Sequence, residues 1–112
     1  MDKEIEAFDY LKEEFFGFGK LSLYGSARKR KAFINNHDFD VGLDTQIISK
    51  EFIVNAVKKF IDEWDKRFNI ELHMYIYGEF STQTFRGSKY HLMFARSWLK
   101  PIQYLRAILR KI

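Results

Sequence analysis

The sequence predicts an α/β domain of the α+β kind: a small mixed β-sheet packed by helices. Apolar residues recur at helical spacing near both ends and in the middle of the chain, and short alternating or continuously apolar runs separate those stretches. At 112 residues there is room for one domain, residues 1–112, with a modest core, and not for two.

Ile5, Phe8, Leu11, Phe15 and Phe16 mark a first amphipathic helix over Asp2 to Phe16, which Gly17 and Gly19 end. Residues 21–24, LSLY, read as a short strand turned by Gly25-Ser26, and residues 27–34 as a short helix with Ser26 near its amino end. Asn35-Asn36-His37 is a loop, and residues 37–43, HDFDVGL, form the second strand. Ser49 opens a long helix whose buried face is Phe52, Ile53, Ala56, Val57, Phe60, Ile61, Trp64 and Phe68.

Residues 69–77 alternate, with Ile70, Leu72, Met74 and Ile76 on one face and Glu71, His73, Tyr75 and Tyr77 on the other. Residues 78–89 are a turn-rich connection with room for a short edge strand, and residues 90–95 are another strand. Ser97 caps a final helix. Pro101 lies in its first turn, where a missing N–H is tolerated, and Ile102, Leu105, Ile108, Leu109 and Ile112 supply a buried stripe.

Composition narrows the function classes. With 46% hydrophobic and 18% aromatic residues, twelve of them Phe, the chain can bury enough surface to fold. There is no cysteine, which excludes disulfides and thiolate metal sites. No apolar run approaches the roughly 20 residues that span a bilayer, so no membrane partner is expected. The amino end, MDKEIEAF, is unlike a secretory signal, and a cytoplasmic protein is expected. Charge is lopsided: residues 1–79 hold 12 Lys/Arg against 15 Asp/Glu, whereas Arg86, Lys89, Arg96, Lys100, Arg106, Arg110 and Lys111 follow with no carboxylate among them. A cationic last third favours a polyanionic partner, nucleic acid before membrane.

The chemistry is concentrated in residues 21–43. Strand alternation puts Asp38 and Asp40 on one face, and two carboxylates that close repel unless a cation neutralises them. Mg²⁺, commonly held by one or two carboxylates plus substrate phosphates, is the expected cation. His37, His73 and His91 are far apart in sequence and have no cysteine to assist them, which argues against zinc; His73 shares the face of Glu71 and borders any pocket there. Tyr75 and Tyr77 continue that face, placed either to pack or to stack on a base.

Gly25-Ser26 after a strand, followed twelve positions past Ser26 by an Asp-hydrophobic-Asp strand, resembles the DNA polymerase beta nucleotidyltransferase superfamily, above all its minimal members. The resemblance covers roughly residues 20–76 and implies a nucleotidyltransferase-like fold. In that family a third carboxylate lies on the strand after the long helix. Glu71 holds that place, where many members carry Asp, and the run Arg28-Lys29-Arg30-Lys31 replaces their Arg-Gly.

The resemblance implies that Asp38, Asp40 and Glu71 are catalytic and ligate two Mg²⁺ ions, with Glu71 helping to deprotonate the acceptor. It also implies that Gly25, Ser26, Arg28 and Lys29 bind the phosphates of a nucleoside triphosphate. The expected reaction transfers a nucleoside monophosphate to an acceptor hydroxyl. Minimal members work beside a helical protein partner or as homo-oligomers, so an assembly is expected. The alternative on the same fold is a catalytically inactive module that binds nucleic acid or a protein through the basic C-terminal third.

Overall fold

The computed structural model describes residues 2–35 and 38–109. Asn36 and His37 of the expected loop, and Arg110, Lys111 and Ile112 of the final segment, lie outside the described residues.

Helix α1 (Lys3–Glu14) begins at Asp2, whose carboxylate accepts from the backbone N–H groups of Glu4 and Ile5. Burial works against the charge on Asp2, but those bonds and the Arg30 guanidinium hold its carboxyl below the ordinary value. The buried face of α1 is Glu4, Ala7, Leu11 and, just past the helix, Phe15, whereas Ile5 and Phe16 are exposed, contrary to expectation. Glu4 causes the rotation. Its buried carboxylate accepts from Phe33 N–H at 3.0 Å, turning that side of α1 inward.

After α1 come β1 (Gly19–Leu23), two single turns α2 (Gly25–Arg28) and α3 (Ala32–Asn35), and β2 (Asp38–Thr45). The helix expected over 27–34 is therefore broken. Arg30 takes a positive φ of 62° between the turns and pairs with Asp2 at 3.2 Å, so part of the basic run is tied to α1. Helix α4 (Lys50–Phe68) follows, capped by the Ser49 hydroxyl and ended by Asn69 in the left-handed region. Phe52 is more than half exposed and stacks on Phe18, while Val54 is buried in its place.

Strands β3 (Glu71–Gly78), β4 (Gln83–Arg86) and β5 (Tyr90–Arg96) complete one sheet of order β1-β2-β3-β5-β4. β2, β3 and β5 run parallel, and β1 and β4 close the edges antiparallel. Residues 78–89 thus carry an edge strand hydrogen-bonded to β5. One sheet face, with Phe39, Val41, Leu43, Leu72, Met74, Ile76, Leu92 and Phe94, packs in the core formed with α1 and α4. This is the mixed α/β fold the periodicities predict.

The opposite face carries the acidic residues and a smaller cluster of Tyr24, Tyr75, Tyr77, Ala95 and Ala107. A 3-10 turn (Ser97–Leu99) leads into α5 (Lys100–Leu109); Ser97 is the first residue of that turn and not a cap, the turn's N-cap being Arg96 with no side-chain hydrogen bond. Lys100 Nζ lies 2.6 Å from Asp44 Oδ2, which sets the rotation of α5 over the tyrosines. Ala107 is buried, and of the expected buried stripe Ile102, Leu105 and Leu109 are, with Trp98, each more than half exposed, while Ile108 is half-buried. Among the described residues, no helix is long and apolar enough to cross a membrane.

Burial pushes the Tyr24 phenol up to about 12 and pushes Tyr77 up as well. The unfolded chain sheds the Tyr24 proton from about pH 10 while the native state keeps it, so the stability Tyr24 confers is complete below that pH and is lost as pH rises through about 12. Denaturant titrations across this window are expected to show that decline, and Tyr24→Phe to make it shallower; an equally steep decline in the variant would refute the assignment to Tyr24.

Candidate active site

β2 and β3 are neighbours in register, Asp38 opposite Glu71 and Asp40 opposite His73. All four therefore point from the same face. Asp40 is fully buried, Asp38 is half-buried and His73 is buried. His73 Nδ1 lies 3.2 Å from Asp38 Oδ2 and 3.4 Å from Asp40 Oδ1. One ligand atom from each of Asp38, Asp40 and His73 lies within 4.8 Å of the others.

Glu71, expected as the third carboxylate of the cage, is not among those converging atoms. Its Oε1 stands 3.0 Å from His73 Nε2, on the far side of the ring, and accepts from Arg86 Nη2 at 3.3 Å. Register supplies the reason: in parallel strands Glu71 sits beside Asp38 at the start of the pair, and His73 is the side chain carried alongside the deeper Asp40. Alternation had placed His73 on this face. Only the strand pairing selects it over Glu71.

Two carboxylates and an imidazole suit a transition ion such as Mn²⁺ or Zn²⁺, whereas Mg²⁺ would rest on the carboxylates, and atoms this close can meet on one ion. Glu71 is then the outer partner of the imidazole, the position from which a carboxylate orients a ligating histidine.

The Gly25-Ser26 turn starts at the same place. β1 runs antiparallel to β2, and Tyr24 N–H donates to the Asp40 carbonyl at 2.9 Å, so the turn leaves the sheet beside the acidic pair. Gly25 takes a φ of 54°, which a side chain would resist. Ser26 is buried, and its Oγ forms no hydrogen bond among the described residues. Tyr24 lies flat across β2, where a Cβ on Gly42 would come within 2.6 Å of its ring; that contact explains a glycine in mid-strand.

Of the expected phosphate ligands, Arg28 lies 6.0 Å from the Tyr104 ring, on the acidic side of the sheet, and Lys29 is exposed at the end of the turn. Tyr77 is buried in the tyrosine cluster and packs, whereas Tyr75 borders a cavity beyond His73. His91 and Arg106 also line that cavity, and sequence reasoning passed over them as site residues. A lone histidine on a short strand and an arginine on a basic helix carry no local signal.

Among the described residues of the basic last third, four cations are paired within the fold. Arg86 pairs with Glu71, Lys89 with Asp62 and Asp65, Arg96 with Glu79, and Lys100 with Asp44. Compared with protein-family models, curated proteins and solved structures, the chain matches none.

Proposed function

We propose that the chain is a nucleotidyltransferase of the polymerase beta type, dependent on a divalent cation, that moves a nucleoside monophosphate from a nucleoside triphosphate to an acceptor hydroxyl. The observation that carries this reading is the convergence of Asp38, Asp40 and His73 from adjacent parallel strands, beside a glycine-serine turn with a buried, unbonded hydroxyl. Asp38 and Asp40 would hold the cation, Mg²⁺ or Mn²⁺, with His73 as a third ligand suited to Mn²⁺. When bound it supplies a Lewis acid for the charge that builds on the phosphate oxygens. The two-ion cage expected from three carboxylates becomes, in this reading, one protein-held cation.

The chain's own groups divide the remaining work. Backbone N–H groups of the Gly25-Ser26 turn and the Ser26 hydroxyl bind the triphosphate tail, with Arg28 adding positive charge on the same side. The acceptor oxygen bonds to the α-phosphorus as the bond to the β-phosphate bridging oxygen breaks, and pyrophosphate leaves. A carboxylate of the acidic pair takes the acceptor proton, while Glu71 holds the His73 ring from its far side.

The outward stripe of Trp98, Ile102, Leu105 and Leu109 supports an assembly through α5, with a helical protein or a second copy as the partner. The alternative, an inactive module that grips nucleic acid through its basic last third, is less well supported, because most of the described basic groups there already face carboxylates.

Calorimetric titration with each nucleoside triphosphate, with and without Mg²⁺ or Mn²⁺, separates the two. Cation-dependent binding that disappears in Asp38→Asn, with circular dichroism unchanged, is the expected result. No triphosphate binding under any condition, together with salt-sensitive and Mg²⁺-indifferent RNA binding, overturns the enzyme reading in favour of the module.

A further inference from the structure

A cavity of about 460 Å³ opens on the acidic face of the sheet, walled by Tyr75, Thr84, His91 and Met93 from the strands and by Gln103 and Arg106 from α5. It adjoins the Asp38, Asp40 and His73 group directly: His91 is the register partner of His73 on the next strand, and the two rings meet edge-on at 5.3 Å. The Gly25-Ser26 turn reaches the same group from the other direction, off β1. The acidic group therefore stands between the turn and the cavity.

Phosphoryl and nucleotidyl transfers place the attacking and leaving oxygens roughly in line on opposite sides of the phosphorus. With the departing pyrophosphate held at the turn, the attacking hydroxyl must arrive from the cavity side. We infer that this cavity is the acceptor site and that the acceptor is a ribonucleotide with a free ribose hydroxyl; the inference rests on the nucleotidyl-transfer reading above.

The lining matches that chemistry part by part. The volume falls within the range of small-ligand sites. Tyr75 and Met93 offer a flat and a deformable apolar wall for a base. Gln103 Oε1 is buried and accepts no hydrogen bond among the described residues, and a side-chain amide is suited to the donor and acceptor edge of a base. Arg106 forms no ion pair among the described residues, unlike Arg86, Lys89, Arg96 and Lys100, and its forked guanidinium suits a phosphate. A free nucleoside 5′-monophosphate and the 3′-terminal nucleotide of an RNA share these features. In either case the ribose oxygen forms the new bond to the α-phosphorus, its proton passes to a carboxylate of the acidic pair, and pyrophosphate leaves with the electron pair of the broken bond.

The test uses the full chain in EDTA, titrated by calorimetry with AMP, CMP, GMP and UMP and with five-nucleotide RNAs ending in each of them. Expected is binding that needs no metal, survives Asp38→Asn, falls about tenfold or more in Arg106→Ala, and is lost when Met93→Trp fills the cavity. Arg106 is exposed, so its variant keeps the fold, which a melting curve checks. Tighter binding of the oligonucleotides identifies an RNA end as the acceptor, and equal or weaker binding identifies the free nucleotide. If neither ligand binds while the triphosphate still binds with Mg²⁺, the acceptor assignment fails and the nucleotidyltransferase reading stands. If the nucleotides bind but no triphosphate does with any cation, the enzyme reading fails, and the acceptor role with it. Binding unaffected by both Arg106→Ala and Met93→Trp also overturns the assignment.

Discussion

His73→Ala is expected to weaken divalent-cation binding by more than about 100-fold, and Glu71→Gln by about 10- to 100-fold, the usual range for an outer partner of a metal ligand. The order of the two effects follows from geometry. His73 Nδ1 faces both aspartates, at 3.2 and 3.4 Å, whereas Glu71 reaches the group only through the opposite nitrogen of that ring. Mn²⁺ titration followed by electron paramagnetic resonance, run beside wild type, reads both constants. A reversed order, with Glu71→Gln the more damaging, would show that the third carboxylate swings in to ligate and that His73 is a spacer. His73 is buried and β3 is the central strand of the sheet, so thermal unfolding of both variants checks that each remains folded.

Trp64→Ala is expected to cost about 3–5 kcal/mol of folding stability, the range for removing a buried large aromatic side chain. Trp64 is fully buried and joins three layers of the molecule. Its ring packs on Phe39 of β2 at 5.5 Å, on Phe68 of α4 at 4.7 Å and on Tyr10 of α1 at 6.3 Å. Its Nε1 also donates to the Ile70 carbonyl at 2.7 Å, tying α4 to the start of β3. Truncation opens a cavity and leaves a buried carbonyl without its partner. Because small domains are stable by only about 5–15 kcal/mol, the loss is a large share of the total. Trp98→Ala is the control: that side chain is mostly exposed, and its removal is expected to change stability by no more than about 0.5 kcal/mol. Urea unfolding of both variants checks the contrast, and a loss below about 1 kcal/mol for Trp64→Ala would contradict its place in the core.

Trp64 also illustrates what was legible in the chain. Its spacing with Phe60, Ile61 and Phe68 marks the buried side of a helix, and that side is buried. The strand patterns held for the same reason: Phe39, Val41 and Leu43 alternate with Asp38 and Asp40, and burial of one set forces the other to the opposite face. Helix α5 misled because periodicity locates an apolar stripe without saying what covers it. The Lys100 to Asp44 pair and the packing of Tyr104 against Tyr24 turn Ala107 inward and leave Ile102, Leu105 and Leu109 outside. Net charge likewise says nothing of pairing: Arg86, Lys89, Arg96 and Lys100 find partners among Asp44, Asp62, Asp65, Glu71 and Glu79 once the chain folds.

Local order along the chain was enough to establish a mixed sheet packed by helices, an acidic pair on one face of a strand, and a glycine-serine turn just before it. Which side chain completes the acidic group, and what stands beyond it, came from three dimensions alone. Side-chain alternation is a property of one strand and can be counted, but the partner of Asp40 depends on how β3 slides against β2. That offset is decided by the packing of α4 and the hydrophobic face beneath, and it brings His73, not Glu71, alongside Asp40 and sets the cavity of His91, Gln103 and Arg106 next to it.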